Sequence, residues 1–474
     1  MTRMLVVATL LTLTAVDAAA QRQSGASNAA GSGAQGRTAP AVTVIKNATV
    51  LTVTKGTLQS TDILIENGKI TRIGQNITPP RGAQVLDATG KYVMPGIIDA
   101  HSHMMADATN ESSLSVTSMV RIMDVLDPTE ANIYRALAGG VTTINILHGS
   151  ANTIGGQSAT VKLKYGRSAS EMIFPGAPPG IKFALGENVT RKNRPVSQGQ
   201  TRRYPATRMG QEEVLRDAFI RAQDYKRSWD DHRARGDRNA VPPRRDLELE
   251  PLVEVLEGKR LVHAHSYRAD EIHMLLQVAE EFGFKVKTLQ HVLEGYKVAP
   301  EIAKHGAGAS SFADSWSYKI EAYDAIPYNN AIMTRAGVVT TINSDSDERI
   351  RRLNVDAAKL MRYGDLTEEE ALKTITFNAA WQLGVEDRVG SIEVGKDADL
   401  AIWNAHPLSV YANVQTTLID GEIFFDRDRD LAMREARERE RKELEAMEPN
   451  RAEQRPRRER QPLVPERTRG GRDQ

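Results

Sequence analysis

The sequence contains no cysteine among its 474 residues. This absence excludes a disulfide framework, a metal site built from thiolates and a cysteine that carries a lipid anchor. The formal net charge is only +1, so the chain as a whole does not attract nucleic acid or another acidic polymer. We therefore expect a small-molecule substrate and no nucleic-acid partner.

No hydrophobic run outside the first twenty residues is long enough to span a membrane. Residues 4–16 are mostly apolar, follow the positive charge of Arg3 and lead to three alanines at 18–20. This pattern is typical of a cleavable export signal over residues 1–20, and a buried N-terminal helix is the alternative. We expect cleavage before Gln21 and a periplasmic or secreted protein with no stable membrane anchor.

Strand-forming runs stand near both ends of the chain that remains after cleavage. Residues 21–40 are rich in Ser, Gly, Ala and Gln, which predicts a flexible linker. The runs that follow include a strong hairpin signal at Asn67-Gly68, and similar runs recur near the other end. We therefore predict a small β-sandwich domain built from residues 41–93 and 388–425.

Between these flanks, residues 94–387 alternate short apolar runs with helical stretches. Residues 141–146 and 338–343 are two such runs, and residues 270–282 have the spacing of an amphipathic helix. This alternation indicates an α/β fold with a parallel sheet, and the length suits a TIM-like (β/α)8 barrel.

Residues 426–474 are a run of mixed charge with little apolar content. The first half favours an exposed helix stabilised by charge pairs four residues apart. The second half, from Pro449, is predicted to be disordered, so the tail is largely disordered and adds nothing to a hydrophobic core. The sequence leaves open whether this or another surface forms a homo-oligomer.

The strongest chemical signal is the pair His101 and His103, which ends an apolar run that starts after a Pro-Gly turn. Side chains two residues apart on a strand face the same side, so both histidines can reach one metal ion. Neutral imidazole is a good ligand for zinc and related ions. The apolar strand and the preceding Asp99 favour a metal site over a chance His-x-His.

Two segments carry a family resemblance. The run Pro-Gly-Ile-Ile-Asp-Ala-His-Ser-His at residues 95–103 resembles the first barrel strand of the amidohydrolase superfamily. The run Gly-Ser-Ile-Glu-Val-Gly-Lys-Asp-Ala-Asp-Leu at residues 390–400 resembles that superfamily's exit from the barrel into its β domain. The resemblance covers about residues 42–425 and is closest to the imidazolonepropionase and prolidase-like branch.

The resemblance implies two further histidine ligands on later strands. His263 and His265 lie on one face of the same run, so spacing alone does not choose between them. The residues downstream match related members when His265 is the ligand, with His263 in a supporting or packing role. His291 closes the next strand in the family's pattern, and a capping or surface histidine is the alternative.

Asp345 resembles the aspartate that follows the eighth barrel strand of the superfamily. The resemblance implies that it touches the metal and takes a proton from the attacking water. A carboxylate suits both roles, because it is a hard ligand and stays ionised near a cation. Asp347 is the alternative ligand. The non-functional interpretation is that Asp345 lies in a solvated loop and binds no metal.

Two residues compete for the position that bridges two metal ions. Lys182 matches the Ile-Lys pattern in which related members carry a carbamylated lysine. Glu187 stands at the end of the same run, where barrel active sites lie, and bridges without modification. They are roughly 17 Å apart if the chain is extended, so they do not both bind. The balance slightly favours Glu187.

The substrate contacts come from two further stretches. Residues 148–157, which include Gly155, Gly156 and Gln157, follow a strand and are rich in glycine, but they lack the Gly-Lys-Ser/Thr ending of a phosphate loop. We predict that they form a loop that exposes backbone groups to the pocket, with a plain turn as the alternative. Tyr267 and Arg268 follow a later strand, where a guanidinium either grips a substrate carboxylate or forms a surface salt bridge.

These residues predict an enzyme that hydrolyses an amide-type C–N bond with metal-activated water. The resemblance implies a dipeptide, an N-acyl amino acid or a cyclic amide as substrate. The expected cofactor is a divalent metal, zinc first, as one or two ions. A ring deaminase with a single metal is the alternative enzyme, and a periplasmic binding protein with an inactive barrel is the non-enzymatic alternative.

Overall fold

The computed structural model describes residues 41–190, 203–236 and 240–447. All of them belong to one structural unit of the chain. The predicted export signal at residues 1–20, the predicted linker at 21–40 and the end of the charged tail lie outside the described residues. None of the helices within the described ranges is long and apolar enough to cross a membrane.

The strands of the described residues are β1 Val42–Leu51, β2 Thr57–Glu66, β3 Lys69–Gly74, β4 Gln84–Asp87, β5 Tyr92–Pro95, β6 Ile97–Ser102, β7 Val141–Ile146, β8 Ile154–Lys162, β9 Gly180–Ala184, β10 Leu261–Ser266, β11 Val286–His291, β12 Gly308–Ser311, β13 Thr340–Ile342, β14 Leu400–Trp403, β15 Val414–Ile419 and β16 Glu422–Asp426.

The α-helices are α1 Ala131–Leu137, α2 Ala169–Met172, α3 Glu187–Thr190, α4 Met209–Arg235, α5 Glu250–Leu256, α6 Ala269–Phe282, α7 Ala299–His305, α8 Asn329–Arg335, α9 Leu353–Arg362, α10 Glu368–Lys373, α11 Phe377–Leu383 and α12 Arg427–Met447. Short 3-10 segments span Ile122–Val125, Gly295–Lys297, Ile320–Ala322 and Arg349–Arg352.

The central eight strands form one sheet in the order β13-β12-β11-β10-β9-β8-β7-β6. Every residue of β6 and β7 is buried, as expected for strands that are covered on both faces. The two edge strands approach each other, and the backbone N–H of Asp345 after β13 donates to the carbonyl of His101 at 3.2 Å. This arrangement confirms the α/β prediction of a TIM-like barrel.

One strand departs from the predicted parallel sheet. β8 runs antiparallel to both β7 and β9, whereas the other neighbouring strands are parallel. The reason is the connection from Ile146 to Ile154, which is shorter than the dozen or so residues that a parallel crossover needs. The third barrel strand is therefore one arm of a hairpin.

The strands of the two flanks join one further sheet, in the order β16-β15-β14-β5-β1-β2-β3 with β4 beside β1. β14 pairs antiparallel with β5, so strands from the two ends of the chain are neighbours. The predicted hairpin is confirmed: β2 and β3 are antiparallel, and Asn67 and Gly68 both have positive φ, at 50° and 77°. The sandwich arrangement and the domain boundaries remain predictions.

A buried lysine on β8 ties the barrel to this second sheet. Lys162 is 1% exposed, and its Nζ lies 2.9 Å from Asp397, 3.1 Å from Asp399 and 2.5 Å from Asp420. Arg388 also contacts Asp397, at 2.6 Å. Removal of one partner from such a cluster leaves an uncompensated buried charge, which is strongly destabilising.

Helix α12 confirms the exposed helix that was predicted for the first half of residues 426–474. Its twenty-one residues are helical and almost all exposed. Charge pairs four residues apart, such as Arg441 with Glu445, follow the predicted spacing. The residues after Met447 lie outside the described part of the chain.

Candidate metal centre

Strand β6 leads to two histidines at the mouth of the barrel. His101 is buried and His103 is partly exposed, and their Nε2 atoms lie 3.4 Å apart. The Nδ1–H of His101 donates to Gln290 Oε1 at 3.0 Å, and that of His103 donates to the Leu147 carbonyl at 2.9 Å. Each Nε2 therefore presents a lone pair, which is the arrangement of metal-binding histidines.

Asp345 lies against this pair. Its Oδ1 is 3.6 Å from His101 Nε2 and 3.4 Å from His103 Nε2. These three ligand atoms all lie within 4.8 Å of one another, which makes a compact group of metal-ligand type within the described residues. Asp347, the alternative, instead accepts a hydrogen bond from Asn132 at 3.3 Å.

Two more histidines extend the group on one side. His291 Nε2 lies 4.0 Å from Asp345 Oδ2, and its ring centroid is 4.8 Å from that of His101. The His265 ring is 4.5 Å from the His291 ring. Both ring nitrogens of His265 and Nδ1 of His291 are buried and have no hydrogen-bond partner among the described residues. Unpartnered buried nitrogens of this kind fit a bound cation.

The electrostatics favour the neutral form of these side chains. Burial lowers the pKa of His101, His265 and His291 well below the ordinary value, and lowers that of His103 to about 4. Burial also raises the pKa of Asp345 to about 6. Neutral imidazoles with converging lone pairs next to a carboxylate fit a divalent metal ion. The identity of the metal remains a prediction.

His263, the other candidate on β10, has a different environment from His265. Its Nδ1 lies 3.4 Å from Gln290 Nε2, and burial lowers its pKa to about 3. Gln290 therefore stands between His263 and His101, and contacts both. His265 is the member of the pair that contacts His291.

Lys182 joins the histidines and Glu187 does not. The Nζ of Lys182 lies 3.3 Å from His101 Nε2, and the side chain is buried on β9. Glu187 begins α3, and its Oε1 lies 3.9 Å from Lys319 Nζ. The position of Glu187 in the fold therefore does not support the slight preference for it over Lys182. The chain leaves the barrel between Lys182 and Glu187. The bridging role itself remains a prediction.

Tyr267 and Arg268, which are adjacent in sequence, occupy different environments. The Tyr267 ring is buried, stacks on His291 at 5.2 Å and meets His265 edge-on at 4.8 Å. Arg268 forms the surface salt bridge that the sequence left open, with both oxygens of Asp270 at 3.0 and 2.9 Å. Its guanidinium fork is therefore already occupied.

Residues 148–153 of the predicted loop lie outside the strands, but Gly155, Gly156 and Gln157 are part of strand β8, so the loop prediction is wrong for these three residues. A Cβ on Gly155 would lie 2.7 Å from His148 Nδ1, and one on Gly156 would lie 2.9 Å from the same ring. Because neither glycine has a Cβ, the His148 ring can pack directly against strand β8. Gln157 donates to the Ser118 carbonyl at 3.0 Å. Their contact with substrate remains a prediction.

Two residues at the site were not identified from the sequence. Gln290 orients His101 through a hydrogen bond. The one sequence feature that could have identified Gln290 is its position directly before the predicted ligand His291. Lys319 stands in the segment after β12, and its Nζ lies 4.0 Å from the centroid of the Tyr267 ring. No sequence pattern indicates this second contact, because the two residues meet only after the barrel has folded.

The chain is similar to known amidohydrolases in sequence and structure. Residues 92–424 match the amidohydrolase family. The amidohydrolase tasK of Hapsidospora irregularis is 34% identical over 401 residues, which are 77% of this chain and 40% of that protein. The chain thus spans less than half the length of this relative. The imidazolonepropionase of Vibrio cholerae serotype O1 is 23% identical over 77% of this chain and 93% of its own length.

A solved structure gives the same assignment. The amidohydrolase from Thermotoga maritima MSB8 has a TM-score of 0.74 and 36% sequence identity, and the match covers 81% of this chain and 99% of that one. These matches confirm the resemblance seen in the sequence and the prediction of a hydrolase that acts on C–N bonds. The chain belongs to the amidohydrolase family.

Proposed function

We propose that this chain is a metal-dependent amidohydrolase that hydrolyses an amide-type C–N bond in a small molecule. The candidate substrates are a dipeptide, an N-acyl amino acid and a cyclic amide. One observation carries the proposal: His101, His103, His291 and Asp345 converge at the barrel mouth, and His265 beside them has two unpartnered ring nitrogens. Active sites of TIM-type barrels lie at this end of the strands.

These side chains would hold one or two divalent ions, with zinc as the first candidate. When bound, the metal lowers the pKa of a water molecule and polarises the substrate carbonyl. Asp345 accepts the proton of the attacking water and passes it to the leaving nitrogen. Its carboxylate is placed for this role beside the two histidines, with Oδ1 3.6 Å from His101 Nε2 and 3.4 Å from His103 Nε2.

Lys182 is the better candidate for a bridging ligand. It lies beside His101, whereas Glu187 lies beside Lys319. Burial lowers the pKa of Lys182 to about 7, so much of it is a neutral amine at neutral pH. A neutral amine can add to carbon dioxide with loss of a proton, and the resulting carbamate on Lys182 would supply two oxygens for metal binding. Glu187 then has a structural or substrate-facing role.

The alternative enzyme, a ring deaminase, needs one metal ion and no bridge, so the buried Lys182 argues against it. An inactive binding protein does not require a carboxylate at 3.4 Å from a histidine nitrogen. A direct experiment tests the proposed reaction. Metal-loaded protein is incubated with dipeptides, N-acyl amino acids and cyclic amides, and the released amine is measured. Failure to cleave any of them would contradict the proposal.

We also propose that the protein is exported, on the strength of the signal-like pattern at residues 1–20. The expected location is periplasmic or secreted. Fractionation of cells that express the full chain, followed by N-terminal sequencing, tests this. An N-terminus at Gln21 in the exported fraction supports export, and an uncleaved chain in the cytoplasm contradicts it.

A further inference from the structure

Lys319 brings a cation to the edge of the histidine group. Its Nζ lies 4.0 Å from the centroid of the Tyr267 ring, within the range of a cation–π contact. The same ring stacks on His291 and touches His265. The ammonium is therefore one aromatic side chain away from two of the proposed metal ligands.

The anionic neighbours of Lys319 leave it able to bind another anion. Glu321 Oε1 lies 2.8 Å from Nζ, whereas Glu187 Oε1, at 3.9 Å, is beyond hydrogen-bond distance. An ammonium has three N–H donors. Among the described residues, Glu321 Oε1 forms an ion pair with Nζ but accepts no hydrogen bond, and the Tyr267 ring centroid lies 4.0 Å away, so the donors remain available to a ligand. The Lys319 side chain is 18% exposed, so solvent and solutes reach it.

The position of Lys319 is held by a network behind it. Glu321 accepts hydrogen bonds through Oε2 from the Glu187 backbone N–H and from Arg208, each at 3.0 Å. Arg208 also contacts Glu271 at 2.5 Å. Because the negative charge of Glu321 is shared between Arg208 and Lys319, it does not neutralise Lys319 alone. The network preorganises the ammonium, which lowers the entropy cost of binding a ligand.

The Tyr267 hydroxyl supplies a second donor. The hydroxyl oxygens of Tyr318 and Tyr267 are hydrogen-bonded at 2.7 Å. With Tyr318 as the donor of this pair, the hydrogen of Tyr267 is available for a substrate oxygen. The residue that the sequence suggested for a carboxylate, Arg268, is occupied by Asp270.

We infer that Lys319 and the Tyr267 hydroxyl form a subsite for a carboxylate of the substrate. This inference rests on the proposed amide hydrolysis and specifies its substrate class. The cleaved amide belongs to a molecule with a free carboxylate, as in an N-acyl amino acid or a dipeptide, and not to a neutral cyclic amide. Lys319 is thus a specificity-determining residue.

The test compares matched amide substrates. N-acetyl amino acids and simple dipeptides are paired with the same compounds as C-terminal primary amides, and release of the N-terminal acyl group or residue is measured. Lys319→Met removes the charge at similar length, and Lys319→Arg keeps it. Lys297→Met is the matched control, because Lys297 pairs with Asp324 at 2.5 Å on the surface nearby. Bound metal is determined for every variant.

Wild type should prefer the carboxylate compounds. Lys319→Met should lose roughly 10- to 100-fold in kcat/KM on them, mainly through KM, in line with the loss of a charged hydrogen bond. It should change less than about twofold on the amides, and Lys319→Arg and Lys297→Met should resemble wild type.

Three results would overturn the inference. Equal wild-type activity on both substrate classes, or activity on the neutral amides alone, removes the carboxylate subsite while amide hydrolysis stands. An equal loss on both classes in Lys319→Met with normal metal content shows a structural role. The absence of cleavage of any amide by the metal-loaded wild type instead contradicts the proposed function on which the inference rests.

Discussion

Asp99 and Ser344 join the first and last strands of the barrel through two hydrogen bonds. Asp99 Oδ1 accepts from the backbone N–H of Ser344 at 3.1 Å, and Oδ2 accepts from its hydroxyl at 2.5 Å. Asp99 stands two residues before His101, and Ser344 directly precedes Asp345. The contact therefore sets the distance between the histidine pair and the carboxylate.

Asp99→Asn should lower kcat by roughly tenfold or more, because an amide nitrogen cannot accept one of the two bonds and small displacements of reacting groups are costly. KM and metal content should change little. Ser344→Ala removes the hydroxyl bond alone and should show a smaller loss in the same direction. Steady-state kinetics with metal analysis checks this, and unchanged kcat in both variants would rule out a positioning role.

Asp345→Asn keeps the volume of the side chain and an oxygen that can touch metal, but it cannot take a proton. Turnover should fall by a factor of roughly 10² or more, while the histidines retain the metal. His101→Ala is the contrasting variant, because it should lose metal and activity together. Near-normal turnover in Asp345→Asn would leave the proton without this carrier, and Asp347 and His263 would be tested next.

Lys182→Met and Glu187→Gln separate the two bridging candidates. Because Lys182 lies 3.3 Å from His101, its replacement should reduce bound metal from about two ions to one or fewer. Glu187→Gln should leave the metal content unchanged. Metal analysis of both purified variants decides the matter. Loss of metal in Glu187→Gln alone would show that Glu187 is the bridging ligand. Equal mild effects in both variants would indicate a single-metal site.

Asp397→Asn should destabilise the protein by about 3 kcal/mol at neutral pH, since it leaves Lys162 and Arg388 short of a partner. Burial opposes ionisation of Asp397, but the Arg388 hydrogen bond and the charge of Lys162 prevail and lower its pKa to about 2. The ionised form therefore adds stability above the ordinary pKa of 3.8.

That contribution is lost as the pH falls from about 4 to about 2. Denaturant unfolding of wild type and Asp397→Asn at several pH values should show a difference in the free energy of unfolding that narrows over this range. A difference that is small at neutral pH, or that widens on acidification, would contradict the assigned role of Asp397.

The sequence predicted those features of the fold that depend on residues close together in the chain. The alternation at His101 and His103 and the turn at Asn67-Gly68 depend on residues close in sequence, so both could be identified without a structure. The antiparallel direction of β8 was missed, although the short connection from Ile146 to Ile154 was visible. The glycines at 155 and 156 indicated a loop, but they serve the packing of a histidine.

Long-range contacts could not be predicted in the same way. Lys182 and Glu187 are five residues apart, and spacing alone did not reveal which one faces the barrel interior. Lys319 and Tyr267 are far apart in sequence, and their contact depends on how the segment after β12 folds over the barrel. Such pairs are determined by tertiary packing and leave no periodic trace in the sequence.

The most direct test of the account is metal dependence measured in one series of samples. Metal is removed by thorough chelation, zinc, manganese or cobalt is returned stepwise, and turnover of a cleaved amide is measured together with bound metal per chain. Activity should be absent without metal and should rise with occupancy up to one or two ions per chain. Activity that survives chelation, and that persists in His101→Ala, would contradict a metal-dependent amidohydrolase.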